Sequence, residues 1–381
     1  DKTVDVDYEE LSEYIFGEGN CFNSSEVRKR MYGMRRLIEL IEEDNIDDIT
    51  DKDVLNEIEL KKLELKEERA KLSTLRLDLN KSIRNTARFK QWLDEIKQEI
   101  KTVDVIIPEY KGINDNNYEK DYLLTIADIH TGRKGESLDN YYDLDVLQDR
   151  MWQIRDEIIE LVKEKKIKTL KILALGDLIE GLIHVSQIQN LQISRARQTV
   201  FVARFLFEWL NSISECCYVD FKMTTSSNHT ESRPLNSKRG EFSDDDYEII
   251  IYEWLSDLCE RNPRIKIEGN NIVEFDILGR PCVALHGHQL DKIRNRKNML
   301  ADVSFHMNKQ YQYMFIAHLH HTEIKTVGKN KLGNQEIIYC PCICGNDEYS
   351  DGLWTGASAG SLFLEFNSKQ GRRSIIDIIL T

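Results

Sequence analysis

Residues 121–130 read DYLLTIADIH, a short apolar run that ends in an acidic and an imidazole side chain two positions apart. Tyr122–Ala127 has the length and composition of a strand, and the residues after it carry metal-binding chemistry. The arrangement recurs downstream. Thr169–Leu175 precedes Gly176 and Asp177, Tyr218–Thr225 precedes Asn228 and His229, Cys282–Leu285 precedes His286-Gly287-His288, and Tyr313–Ile316 precedes His318 and His320. Helical patterns fall between the first of these runs, around Asp145–Glu164, Ser194–Ser214 and Asp244–Glu260. Such alternation marks an α/β domain whose sheet is covered by helices, with strand-end loops gathered into one crevice. Further runs at Ile272–Leu278 and Glu336–Cys340 have fewer helices between them, which predicts a second, more antiparallel sheet.

Each group suits a cation in its own way. In Asp128-Ile129-His130 an extended backbone would send both side chains to the same side, towards one ion. Gly176-Asp177 places a carboxylate at a tight turn, where its two oxygens can bridge two metals. Asn228 offers a neutral oxygen, and His318-Leu319-His320 can send one imidazole to each ion. Mixed nitrogen and oxygen donors fit Mn²⁺, iron or Zn²⁺ and argue against Ca²⁺, which prefers oxygen alone.

Taken in order, the five groups resemble the calcineurin-like metallophosphoesterase superfamily over roughly residues 121–381. The family pattern D-x-H, G-D-x-x-D, G-N-H-D/E, H or G-H and G-H-x-H is met by Asp128-Ile129-His130, Gly176-Asp177-Leu178-Ile179-Glu180, Ser227-Asn228-His229-Thr230-Glu231, His286-Gly287 and Ala317-His318-Leu319-His320. Any one group is a weak signal; five in order are strong. The resemblance implies a four-layer α/β/β/α sandwich and two divalent transition-metal ions, Mn²⁺ first with iron or zinc as alternatives. Carried over by position, the first metal falls to Asp128, His130, Asp177 and His320, and the second to Asp177, Asn228, His286 and His318, with Asp177 as bridge. His229 would face the scissile phosphate, and Glu231 would be its acidic partner. The metals would polarise phosphate oxygens and lower the pKa of an attacking water. Ser227 and Ala317 stand where the family has glycine, Glu180 where it has Asp, and Thr230 displaces the acid beside His229 to Glu231. His184, His288 and Arg233 are expected to contact substrate. Cys340, Cys342 and Cys344 alternate as strand residues on one face would, and are expected to be buried thiols rather than a zinc set.

All nine histidines lie at or after position 130, so the chemistry is C-terminal. Residues 1–50 predict a small helical region and 51–104 a long helix or coiled coil, with Ile58, Leu65, Leu72, Leu79, Leu93 and Ile100 on one seven-residue register. A connector at 105–121 leads to the 122–381 domain. The net charge of −14 excludes indiscriminate coating of nucleic acid. It is also uneven: residues 1–60 carry 18 acidic and 7 basic side chains, net −11, whereas 61–101 carry 7 acidic and 12 basic, net +5. No uncharged run is long enough to span a bilayer, and the acidic start is unlike a signal peptide; a cytoplasmic, reduced setting without membrane contact is expected.

The segment Gly345–Tyr349 followed by Ser358-Ala359-Gly360 is similar to metallophosphoesterases of phages and prophages. The leading reading is therefore a two-metal phosphoesterase that cleaves phosphodiesters in nucleic acid or nucleotides. Its main rival is a phosphoesterase-like adaptor in phage DNA recombination, such as a directionality factor that binds a serine integrase through the N-terminal arm. Self-association through that arm, or a structural oligomer using metal for folding alone, completes the set.

Overall fold

The computed structural model describes residues 105–114, 119–182, 190–232, 245–290, 293, 298–346 and 356–381, with single positions at 32, 66 and 71. The chain divides into two units, Asp1–Arg84 and Asn85–Thr381, and the elements below belong to the second. The 1–50 helical region, the 51–104 coiled coil, His184, Arg233 and residues 347–349 lie outside the described residues.

Strand β1 (Lys120–Ile126) is the hub, because its apolar residues serve two faces. Leu124 and Ile126 point into a core shared with helices, while Leu123 and, just beyond the strand, Ala127 point into a second core. Burial on both sides explains why β1, β4 (Thr169–Ala174) and β5 (Tyr218–Thr224) read as nearly continuous apolar runs. These three and β6 (Ile265–Asn270) pair in parallel, and the antiparallel strands β12 (Gly360–Asn367) and β13 (Gly371–Ile379) complete a six-stranded sheet of order β13-β12-β1-β4-β5-β6. Two short strands, β2 (Gly135–Glu136) and β3 (Tyr141–Tyr142), form a separate hairpin.

Three helices cover the outer face of this sheet. Helix α1 (Leu144–Lys165) begins where the Asp143 carboxylate accepts the amides of Asp145 and Val146, and buries Leu147, Met151, Ile154, Ile158 and Val162 at helical spacing. Helix α2 (Arg195–Ile213) buries Trp209, whose Nε1 donates to the Met151 carbonyl at 2.7 Å and so locks α2 to α1. Helix α3 (Tyr247–Cys259) is capped by Asp246, which accepts the Glu248 amide.

The second sheet has five strands, β7 (Val273–Ile277), β8 (Arg280–Leu285), β9 (Tyr313–Ile316), β10 (Glu323–Asn330) and β11 (Gly333–Tyr339), in the order β10-β11-β9-β8-β7. Its inner face, with Cys282, Ala284, Phe315 and Ile338, meets Leu123, Leu173, Leu362 and Leu364 of the first sheet. Its outer face, with Val283, Met314 and Ile337, is covered by Met299, Leu300 and Val303 of α4 (Met299–His306). The layers thus run helices, sheet, sheet, helix, in the α/β/β/α order implied by the resemblance, with four helices among the described residues. One expectation needs correction. The second sheet is mixed: β8, β9 and β11 pair in parallel, and only the outer pairs are antiparallel. The link from β8 to β9 contains α4 and so can cross over, which parallel pairing requires.

Candidate metal centre

Five loops leave the C-terminal ends of parallel strands β1, β4 and β5 in one sheet and β8 and β9 in the other, and they converge. The β1 and β4 loops are stitched together by the amides of Asp128 and His130, which donate to the carbonyls of Gly176 and Asp177 at 3.1 and 2.9 Å. The two sheets are joined at the site by the His318 amide, which donates to Asp128 Oδ2 at 3.1 Å.

The Asp-x-His segment is not extended, contrary to the sequence reading. Asp128 and His130 lie at φ 49° and 47°, and Asp177, His318 and His320 at 48°, 70° and 57°. Five of the seven expected ligands therefore occupy the left-handed region, where an L side chain is strained and which recurs at functional sites. The glycines beside them are needed for space. A Cβ on Gly176 (φ 92°) would sit 2.8 Å from His286 Nδ1, and one on Gly287 (φ 120°) 2.6 Å from Ile316. Ser227 and Ala317, which stand in glycine positions of the family, do not have positive φ, so those departures carry no backbone strain.

Asp128, His130, Asp177 and His286 are all but fully buried. His130 Nδ1 pairs with Glu180 Oε2 at 2.8 Å, which leaves Nε2 directed at Asp128 Oδ1 and Asp177 Oδ2, each 3.9 Å away. His286 Nδ1 donates to the Leu175 carbonyl at 2.7 Å, and its Nε2 faces Asp177 Oδ2 at 3.1 Å and Asn228 Oδ1 at 2.9 Å. His320 Nε2 lies 3.2 Å from Asp128 Oδ1. Ligand-type atoms of Asp128, His130 and Asp177 fall within 4.8 Å of one another, as do those of Asp177, His286 and His318, and those of His130, His320 and Cys344. Asp177 belongs to the first two sets, the position a bridging carboxylate needs.

Two observations test whether a cation fits. His130 Nε2 is buried without a hydrogen-bond partner, and Asp128 Oδ1 is buried with only the His320 imidazole, itself an expected ligand, to meet it, a costly state that a metal ion would relieve. The second is electrostatic: the carboxylates favour protons on His286 and His320, whereas burial and the neighbouring His229 lower His130. Burial alone would lower His286, but the Asp177 carboxylate beside it raises it to about 9. Burial would raise Asp177, yet the charges of His286 and His229 hold it well below the usual carboxylate range. His320 is likewise raised against its burial by Asp128. The donors therefore fit divalent metal, held by imidazole and carboxylate with the outward nitrogens anchored by Glu180 and Leu175.

His229 sits beside this cluster, its ring 4.5 Å from that of His130 and perpendicular to it. Its amide donates to Asp177 Oδ1 at 3.0 Å, and its Nδ1 pairs with the Glu180 carbonyl at 2.8 Å. The imidazole is therefore oriented by a backbone oxygen and by Glu180, whose Oε2 is 3.8 Å away. Glu231 is buried and bridges through its backbone to Asp246. His288 lies with its ring 5.5 Å from His286 and 6.5 Å from His318, at the edge of the second set. Three participants had no motif to announce them. Cys344 Sγ approaches His320 Nδ1 at 4.0 Å, and Asp246 and Glu248 reach the Ser227 loop from α3. Cys340, Cys342 and Cys344 are buried free thiols, although they follow β11 rather than lie on a strand.

No family model matches the chain. A curated relative, the SPbeta prophage-derived uncharacterized protein YonJ of Bacillus subtilis (strain 168), is 33% identical over 380 residues, covering 98% of this chain and 92% of the relative. The chain belongs to the family of that prophage-derived protein. Among solved structures, a novel archaeal phosphodiesterase is 15% identical with a TM-score of 0.35, over 68% of this chain and 99% of its own. Vps29 of Entamoeba histolytica complexed with zinc is 12% identical with a TM-score of 0.32, over 68% and 99%. A predicted phosphoesterase of Streptococcus pneumoniae TIGR4 is 10% identical with a TM-score of 0.27, over 68% and 98%. Among the described residues no helix is long and apolar enough to cross a membrane.

Proposed function

We propose that the chain is a two-metal phosphoesterase that hydrolyses phosphodiester bonds, with nucleic acid or nucleotides as its substrate class. The observation that carries this reading is the orphaned buried His130 Nε2 beside Asp128 Oδ1, whose one close neighbour is the expected ligand His320, among ligand sets that share Asp177. Asp128, His130, Asp177 and His320 would hold one ion and Asp177, Asn228, His286 and His318 the other, Mn²⁺ being the first choice. Bound metals supply Lewis-acid polarisation of the phosphate and a water of lowered pKa. His229, with Nδ1 anchored on the Glu180 carbonyl, presents Nε2 to substrate, where it can stabilise the phosphorane-like charge or protonate the leaving oxygen. His288 and, outside the described residues, His184 and Arg233 are the proposed substrate contacts; Glu231 is proposed to act on the His229 loop.

Metal analysis after growth with Mn²⁺ and hydrolysis of bis-p-nitrophenyl phosphate test this. Wild type is expected to hold close to two ions and to cleave the diester. Asp177→Asn is expected to lose both ions more readily than His130→Ala or His318→Ala does, since one carboxylate serves both. Folded wild type without metal defeats the reading.

A second reading is favoured by the alignment with the prophage relative, which spans nearly the whole chain and so takes in the histidine-free arm as well. In it the domain is an adaptor in phage DNA recombination and the arm binds a protein such as a serine integrase. Metal binding without hydrolysis of monoesters or diesters would favour that reading.

A further inference from the structure

Glu248 is a side chain that a helix of this kind has no structural need to bury. It lies in the first turn of α3 with no exposed surface, beside the apolar Ile250, Ile251 and Trp254. Its Oε1 accepts the Leu178 amide at 3.2 Å and the Ser227 hydroxyl at 3.0 Å. Leu178 follows Asp177 and Ser227 precedes Asn228, so one oxygen holds the two loops that carry the shared carboxylate and the neutral oxygen donor. Asp246 braces the same corner, accepting the Ser227 amide at 3.3 Å on one oxygen and the Glu248 amide at 2.9 Å on the other. The Leu178 carbonyl in turn accepts the Thr131 amide at 3.1 Å, one residue after His130.

We infer that Glu248 is a positioning residue of the metal centre, an acceptor that sets the distance between the Asp177 turn and the Asn228 loop. An apolar side chain would fill the space but leave the buried Leu178 amide unpaired and the Ser227 hydroxyl with Thr230 Oγ1 alone, so the link between the two loops would be lost and a buried donor left at a cost. That strain would be released by the loops moving apart. What the site requires is an acceptor rather than a negative charge. Glu248 Oε2 has no hydrogen-bond partner, and burial, followed by the charges of Asp246 and Asp177, raises the carboxyl well above its usual range. Glutamine keeps an Oε1 in the same place.

The inference rests on the metal reading above, and its test separates the two. Mn²⁺ alone is titrated calorimetrically into full-length wild type, Glu248→Gln, Glu248→Leu and Leu258→Ala, the last a buried change elsewhere on α3. Exchange of the Leu178 amide is followed in the same proteins without metal, relative to the Leu173 amide inside β4. Glu248→Gln is expected to bind Mn²⁺ within about twofold of wild type and Glu248→Leu about 10- to 100-fold more weakly, the range for lost outer-shell partners. Leu258→Ala should melt earlier yet bind as wild type. The Leu178-to-Leu173 exchange ratio should rise about tenfold or more in Glu248→Leu only, because a global loss of stability speeds both amides. Wild-type affinity and exchange ratio in Glu248→Leu would overturn the inference, as would a Glu248→Gln defect equal to that of Glu248→Leu. Should Glu248→Leu not fold, Ser227→Ala takes its place, with a threefold or greater loss of Mn²⁺ affinity expected and an unchanged affinity counting against it. A wild type that takes up no Mn²⁺ defeats the metal reading, while the exchange ratio still decides whether Glu248 tethers the loops.

Discussion

His229 is proposed to face substrate rather than metal, although its ring also falls in a ligand-type set with His130 and Glu180. Its Nδ1 is committed to the Glu180 carbonyl, so only Nε2 can meet substrate. His229→Ala is therefore expected to keep its Mn²⁺ while turnover of an activated diester falls by roughly 10² to 10⁴, the usual contribution of a general acid. Metal analysis and turnover on one preparation check both halves. Asp246 gives a second, opposite kind of residue-level expectation. Burial raises its carboxyl to about 7, against the bonds it accepts from Thr230, Glu248 and Ser227 and with the charge of Asp177 adding to the rise. An unfolded aspartate titrates near 3.9, so between about pH 4 and 7 the native state binds more protons and stability falls as pH rises. Glu248, raised for the same reason, adds to the slope in the same direction. Asp246→Asn can keep the Glu248 cap on its one oxygen, gives up the Ser227 bond and removes the titration. Urea unfolding in EDTA at pH 5 and pH 7.5 should show a smaller loss of stability for this variant than for wild type, and an equal loss would refute the assignment.

At the scale of elements, the site is a property of turns more than of strands. Gly181 follows Glu180 at φ 65°, and a Cβ there would lie 1.9 Å from the His229 carbonyl oxygen; Gly279, at φ 77°, has nothing within 4 Å of a Cβ. Gly279→Ala should cost only the left-handed backbone, about 1–2 kcal/mol, and leave hydrolysis unchanged. Gly181→Ala should cost more and also displace His229, lowering turnover at least tenfold with metal retained. Melting curves and diester turnover on the two variants distinguish strain from displacement. The same contrast explains what the sequence made legible. Buried runs such as Tyr313–Ile316 announced themselves, as did helices with capped ends such as Leu144–Lys165, because composition and periodicity are local. β10 escaped notice because it is a largely exposed edge strand carrying Lys325 and Lys329, and the register of β12 with β13 shifts at Glu365. The ligand types were visible by their order, but the left-handed turns at Asp128 and His130 were not, since an Asp-x-His tripeptide does not state its own φ. Glu248 was invisible for a further reason: its partners lie 70 and 21 residues away in the chain.

At the scale of the whole molecule, the seven-residue register expected over residues 51–104 calls for something to cover its apolar side. Leu72, Leu79 and Leu93 lie outside the described residues, and the expectation rests on their sequence alone. A helix of about 45 residues, roughly 67 Å long, with one apolar stripe has little stability in water unless the stripe is covered. The charge split, −11 over residues 1–60 and +5 over 61–101, sets opposite signs side by side in the chain and would favour pairing that brings an acidic segment against a basic one. Self-association in solution is the simplest cover. Leu79→Asp with Leu93→Asp places a charge at two positions of the stripe, and burying an unpaired carboxylate there opposes association strongly. The double variant is expected to fall in molar mass by light scattering, while its Mn²⁺ content and diester turnover stay at the wild-type level, since every expected ligand lies after residue 127. An unchanged mass in both proteins would mean that the stripe is covered within one chain, and a loss of turnover would mean that the arm takes part in building the site.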